Sequence, residues 1–284
     1  MASMRDIKRR IKSVKSTQQI TKAMHLVASS KLTRARARLE QTKPFAAETR
    51  RVIGNIVKGS AVITHPYLEK RPVNNTAVIV LTGDRGLCGG YNANVCKAAY
   101  AYISDNTSVV TVGSKGRDYL KTRKGNVIRS MVGVSEKPAY EDALEIGRIV
   151  LDLYSKGEVD EVYLAYTEFI STLSSEPKVI KLLPVDTSDF ESDISEGVNP
   201  LTIYEPSEEA VLDYVVPKYI NTVLFGAMVE SAVCELGARM TAMDSATENA
   251  SEMIDDLNLL YNRVRQGAIT QEITEIVSGS GIYD

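Results

Sequence analysis

Met4-Arg-Asp-Ile-Lys-Arg-Arg-Ile11-Lys-Ser-Val14 begins a stripe that continues, in alternate steps of three and four, for more than fifty residues. The stripe reads Met4, Ile7, Ile11, Val14, Gln18, Thr21, His25, Ala28, Leu32, Ala35, Leu39, Thr42, Ala46, Thr49, Ile53 and Ile56. A seven-residue repeat kept this long is the pattern of a left-handed coiled-coil seam, so residues 1–58 read as one long helix. The seam turns polar at Gln18, Thr21 and His25, where Ile20, Met24 and Val27 form a second apolar stripe. Two faces in one stretch point to two partners there. Pro44 lies inside the pattern and lacks an amide donor, which predicts a kink or a local opening.

The charges are as ordered as the seam. The chain has 284 residues and a formal net charge of −2. Residues 1–58 nevertheless hold 15 Lys/Arg against 3 Asp/Glu, a net of +12. Residues 59–206 hold 15 against 20, a net of −5, and residues 207–284 hold 4 against 13, a net of −9. A basic, acid-poor start has three readings. Transit peptides share the composition but do not keep a heptad over fifty residues. A coiled coil gripping nucleic acid needs salt-sensitive binding through Arg34, Arg36 and Arg38. In the third reading the charge meets an acidic protein surface.

The acidic end supplies a second helix. Ser207 before Glu208-Glu209 is a helix start, with a hydroxyl cap and carboxylates in the first turn. Apolar residues then recur at helical spacing from Val211 to Ala227, and again from Ile254 to Val264. Thr241 to Ala250 is small and polar, which lets helices approach closely. The expected pairing is an antiparallel coiled coil of residues 1–58 with residues 207–280. At 1.5 Å per residue the two helices run about 80 and 110 Å, leaving about 30 Å of the second without a partner in the chain. Ile269, Ile273, Ile276 and Val277 fall on that tip, and an apolar tip of this kind predicts an external sleeve.

Residues 75–185 alternate in α/β fashion. Strands are expected at 76–82, 108–113, 126–131, 161–170 and 178–185, with helices at 94–103, 115–124 and from Pro138 to about 156. Such alternation makes a mostly parallel, Rossmann-like sheet. Residues 186–206 are acidic, contain Pro200 and Pro206, and read as a linker. Directly after the first strand stands Gly83-Asp-Arg-Gly-Leu-Cys-Gly-Gly-Tyr-Asn92. Its position suits a phosphate-binding loop, but neither GxGxxG nor GxxxxGK[ST] is present, and Asp84 puts a carboxylate where a phosphate would sit. The rival reading it leaves open is a small α/β nucleotide-binding enzyme with a helical oligomerisation stalk. Cys88 has no His or Lys beside it and reads as an inert thiol. Cys88, Cys96 and Cys234 make neither a CxxC pair nor a disulfide framework, which suits a reducing cytosol. His25 and His65 are too far apart in sequence for a zinc motif, and no catalytic grouping or cofactor motif is present. No apolar run of the roughly 20 residues needed to span a bilayer is read in the sequence.

Met4 to Ile11, Thr17 to Met24, Val27 to Lys31, Gly83 to Asn92, Ala238 to Thr247, Tyr261 to Gln266 and Ile269 to Val277 together resemble the gamma-subunit family of F-type ATP synthases. The resemblance covers essentially the whole chain in order. It implies a non-catalytic rotor subunit that couples ion flow to ATP synthesis and hydrolysis. It also implies a sleeve of alternating alpha and beta subunits around the shaft tip at Ile269, Ile273, Ile276 and Val277. The α/β domain would be bound to epsilon and the membrane ring of c subunits, at the cytoplasmic face of a bacterial cell membrane. By the same resemblance Arg239, Gln266 and Thr270 meet beta-subunit loops, and Met24, Arg85 and Cys88 face the acidic lever loop of beta. No cofactor, metal or nucleic acid is implied. The family's Ser-Glu-His or Ser-Glu-Gln run is here Cys234-Glu235-Leu236, its final Gly-Ala is replaced by Ser278 to Asp284, and the paired-cysteine insertion of chloroplast relatives is missing.

Overall fold

The computed structural model describes residues 3–59, 65–123, 125–172, 174–186, 205 and 207–280. The expected linker therefore lies almost wholly outside the described residues. Two helices bracket the chain, α1 (Met4–Gly59) and α5 (Glu208–Ser280). α1 runs as one helix through Pro44, and α5 runs through Pro217. Ser207 caps α5 as expected, its hydroxyl accepting from the Ala210 amide at 3.2 Å. The chain divides into two compact units, residues 1–28 with 240–284, and residues 29–239.

In the first unit the ends of the two helices pair antiparallel. Gln18 donates to Ser251 Oγ at 2.7 Å, and the Thr21 and Thr247 hydroxyls lie 2.8 Å apart. Three residues forward on α1 thus answer four residues back on α5. Ile7, Thr21 and Ala28 are buried on one side of the seam, and Met243, Ala250, Ile254 and Leu257 on the other. Two of the three positions where the seam turns polar, Gln18 and Thr21, therefore make cross-helix hydrogen bonds. Ile20 and Val27, the second stripe, are 57% and 55% exposed. Continuing the register places Met4 near residue 264, so about fifteen residues of α5, roughly 20 Å, run past α1. This is shorter than the 30 Å expected from helix lengths, because the hydrogen-bonded register fixes where the overlap begins.

The second unit holds the sheet, in the order β3-β2-β1-β4-β5. β1 (Thr76–Leu81), β2 (Thr107–Val112), β3 (Asn126–Met131) and β4 (Glu161–Phe169) are parallel, and β5 (Ser175–Leu183) is antiparallel to β4. β5 starts three residues earlier than expected, which shortens its hairpin with β4. Along β1, Val78 and Val80 face α2 (Tyr91–Tyr100) and α3 (Ser114–Thr122), while Ala77, Ile79 and Leu81 face the opposite layer. A strand buried on both faces must be apolar at every position, which is what the run from Ala77 to Leu81 provides. The opposite layer is α4 (Tyr140–Ser155) and α5, with Leu212, Val216, Ile220, Leu224 and Ala227 forming the α5 stripe and Ile53 arriving from α1.

One stretch of α5 is apolar enough to cross a membrane, with a mean hydropathy of 1.3, and 78% of it is buried in the protein. The sequence expectation of no such run is corrected on composition. Its apolarity is that of a core helix serving the sheet.

α4 meets α5 at Gly147, where an added Cβ would lie 1.8 Å from Asn221 Oδ1. Gly147→Ala should therefore cost about 1–3 kcal/mol of overpacking. Pairing it with Asn221→Ala should recover most of that loss, measured by urea denaturation of the single and double variants.

Candidate functional site: a crevice closed by its own side chains

The sheet changes direction at β1, with β2 and β3 on one side and β4 and β5 on the other. In open α/β sheets the crevice at the strand ends beside such a switch is where ligands bind. The Gly83–Asn92 loop lies there, and Asp84 occupies its centre. One Asp84 carboxylate oxygen accepts from the Ser114 amide, and the other from the Gly133 amide and the Ser135 hydroxyl, all at 2.9 Å. The Ser114 hydroxyl also donates to the Asp84 carbonyl at 2.8 Å. One carboxylate therefore ties the segments following β1, β2 and β3. It takes up donors of the kind that would otherwise hold a phosphate.

Asn92 fixes the other limb of the loop. Its Oδ1 accepts from the Gly83 amide at 2.8 Å, and its Nδ2 donates to the Arg85 carbonyl at 3.2 Å. From α5, Glu235 reaches so close that a Cβ at Gly83 would lie 2.7 Å from its carboxyl carbon. A side chain at position 83 would have to displace that carboxylate from its place beside Arg239. Arg239, one turn on, donates to Glu235 Oε1 at 2.7 Å and to the Gly86 carbonyl at 3.4 Å. Both side chains are buried, at 4% and 10% exposure. Burial raises the Glu235 pKa above 4.5, and Arg239 opposes that rise. At the rim, Glu136 pairs with Lys31 and lies 4.0 Å from Arg85, and the Lys31 hydrogen bond lowers its pKa.

The expected contact residues separate by environment. Arg85 is exposed, with 76% of its side chain open. Gln266 and Thr270 are exposed and Met24 is half-buried in the first unit. The Thr270 hydroxyl donates to the Gln266 carbonyl. Ile269, Ile273, Ile276 and Val277 are 48%, 57%, 71% and 64% exposed on the overrunning part of α5. Arg239 is turned inward instead, clamping the loop to α5. Cys88 is 2% exposed and packs with Tyr91 and Cys234, so it supports the loop from within and its thiol is not at the surface. Burial raises the Cys88 pKa and pushes the Cys234 thiol up to about 12. Both are held as protonated thiols.

Sequence reading missed Glu235, Ser114, Ser135 and Glu136 as parts of this site. Only Glu235 carried a usable signal, a carboxylate four residues before an arginine in an otherwise apolar and small-residue stretch. Among the described residues, no group of three or more His, Cys, Asp or Glu side chains gathers to hold a metal ion.

An antiparallel helix pair and a mostly parallel α/β sheet, with the usual ligand crevice closed by internal side chains, define a protein of long paired helices and a Rossmann-like domain. The family model described as ATP synthase matches residues 3–281. The chain is 48% identical to the ATP synthase gamma chain of Alkaliphilus metalliredigens, covering 98% of this chain and 97% of the relative. It is 44% identical to the sodium ion specific ATP synthase gamma chain of Acetobacterium woodii, covering 98% of each. A chain from the rotor of Euglena gracilis mitochondrial ATP synthase shares the fold, with a TM-score of 0.69 at 18% identity over 94% of this chain and 98% of that one. The chain belongs to the ATP synthase gamma-chain family.

Arg239→Met would leave the Glu235 carboxylate buried without its cation, at an expected cost of about 3 kcal/mol near neutral pH. Glu235 already has a raised folded pKa, so the folded state holds its proton more tightly than the unfolded chain does. Stability contributed this way is present at acid pH and lost as pH rises through the folded value. In Arg239→Met the folded value rises further, so the deficit should shrink on acidification toward pH 4.5, followed by denaturation at a series of pH values.

Proposed function

We propose that the chain is the central-stalk rotor subunit of an F-type ATP synthase. In this reading the overrunning end of α5 turns inside a ring of alternating alpha and beta subunits. The α/β domain engages epsilon and the membrane ring of c subunits, at the cytoplasmic face of a bacterial cell membrane. The observation that carries the reading is the α5 overrun. Ile269, Ile273, Ile276 and Val277 recur at helical spacing and are open to solvent beyond the hydrogen-bonded register with α1. An apolar stripe of this kind on a soluble surface marks an interaction site. Membership of the gamma-chain family supports other ATP synthase subunits as what covers it.

The rotor does no bond chemistry. Its work is differential contact: each orientation meets the three beta subunits differently and biases each between binding states. Gln266 and Thr270 on the shaft, Met24 on the lower α1 and Arg85 on the loop are the side chains proposed to meet beta. Arg239 and Cys88 act from inside by holding the loop and α5 in place. Asp84, Glu235 and Arg239 fill the position at the sheet that the rival nucleotide-binding reading requires.

A tagged chain expressed in its host should recover alpha and beta subunits under gentle conditions, and the purified chain alone should show no ATP turnover. Recovery alone, or turnover by the single chain, would refute the assignment. Ile273→Ser with Ile276→Ser should leave the chain's own stability within about 0.5 kcal/mol, since both side chains are exposed. The same double variant should weaken retention by the ring in pull-down.

A further inference from the structure

We propose that a groove in the second unit, between α1 and the layer of α4 and α5, binds a nucleoside di- or triphosphate. The phosphates lie on Arg34, Arg38 and Lys137, and the base on a shelf of Phe45, Tyr140 and Phe225. The proposal stands on the side chains of this groove and goes beyond the rotor reading.

One face of α1 supplies the first wall. Lys31, Arg34, Arg38, Gln41 and Phe45 follow one another in steps of three and four, in the row beside the heptad seam. They span about 20 Å of helix. Toward the start of the row a cavity of about 300 Å³ is lined by Lys31, Arg34 and Arg38, by Glu136 and Lys137 ahead of α4, and by apolar side chains of α5. Toward its end a cavity of about 450 Å³ is lined by Arg38 again, with Gln41, Phe45, Tyr140 and Phe225. The two join at Arg38.

Charge favours a multivalent anion at the first end. Four cations line that cavity against a single carboxylate, Glu136, which pairs with Lys31. Arg34, Arg38 and Lys137 therefore have no carboxylate of their own among the described residues lining the groove. They also stand on both walls of a recess, so their fields add inside it rather than spreading over a convex surface. Guanidinium groups in this setting match phosphate oxygens, which they can bind through two parallel hydrogen bonds.

Rings define the other end. Tyr140 and Phe225 meet edge to face with centroids 5.6 Å apart, and the Arg38 guanidinium lies 5.4 Å from the Phe225 centroid. Phe45 is 59% exposed beside them. Aromatic side chains held open next to cations form the kind of surface on which bases stack. Gln41 is exposed there, and its amide can both donate to and accept from a base edge. An alkyl tail would gain nothing from that amide, and inorganic phosphate nothing from the rings. A phosphorylated nucleoside uses both ends. Glu136 is held by Lys31, so the groove offers no free general base, and the ligand is bound without being hydrolysed. None of residues 83–92 lines the groove, so occupancy braces α1 against α4 and α5 and leaves the loop as it is.

The test titrates the purified full-length chain, freed of nucleotide, with ATP by calorimetry in magnesium-free buffer. Inorganic tripolyphosphate and adenosine serve as the two halves of the ligand. ATP should bind one to one and more tightly than either half. Arg34→Gln with Lys137→Gln should weaken ATP and tripolyphosphate alike, by about tenfold or more. Phe45→Ser should weaken ATP about fivefold or more and leave tripolyphosphate unchanged. All three side chains are exposed, so the melting midpoints of these variants should match wild type. ATP binding no better than tripolyphosphate would overturn the proposal, as would no binding at millimolar ATP. Binding lost in Asp84→Ala but kept in Arg34→Gln with Lys137→Gln would put the nucleotide at the strand ends and overturn it as well.

Discussion

The two ends of the chain must meet in register, and most of the structure follows from that constraint. α1 is not a strong helix by itself: it is dense in cations, and the apolar residues that it buries follow the narrow heptad stripe. Such helices are stable only when the stripe is covered. An apolar stripe alone would tolerate slippage, because one heptad resembles the next. The Gln18–Ser251 and Thr21–Thr247 bonds remove that freedom. Displacing them leaves polar groups half-buried without partners, a penalty of about 1–3 kcal/mol each. A few polar residues in the seam thus define how much of α5 overruns α1, and with it which apolar residues stay available.

α5 carries three different requirements in one continuous sequence. Its first third is a core helix, with Leu212, Val216, Ile220 and Leu224 against the sheet and α4. Next, Glu235 and Arg239 reach the end of β1 and close the loop. From Met243 onward it is one strand of a coiled coil, and its end is exposed. The periodicity of its apolar residues changes character along its length for this reason. A single amphipathic pattern cannot describe a helix that packs on a sheet, then on a loop, then on another helix.

This division also explains what could be read without the structure. The heptad was legible almost residue by residue, because each position from Ile7 to Ile53 that the structure describes is buried or half-buried. The strands were legible because Ala77 to Leu81 must be apolar on both faces. Charge complementarity between the ends was a less reliable guide. The cations of α1 with described ion pairs reach Glu136 from Lys31, Asp6 from Arg9 and Glu48 from Arg51, whereas the described links across the seam are hydroxyl and amide bonds. The closed crevice was illegible for a topological reason. Asp84 takes its donors from Ser114, Gly133 and Ser135, which only the parallel sheet brings together. Sequence spacing could show a carboxylate in an unsuitable place for a phosphate loop, but not what that carboxylate held.

That substitution gives the α/β domain its mechanical character. In a nucleotide-binding sheet the amides after the first strand are completed by a ligand that comes and goes, so the loop is ordered only part of the time. Here Asp84 completes them permanently, Asn92 fixes the far limb, and Glu235 with Arg239 fastens the loop to α5. Under the proposed rotor function this matters for coupling. A stalk whose loop geometry followed nucleotide concentration would change its contacts with the catalytic subunits independently of its angle. With the switch-point crevice filled from within, orientation remains the variable that alters those contacts, as a rigid cam requires.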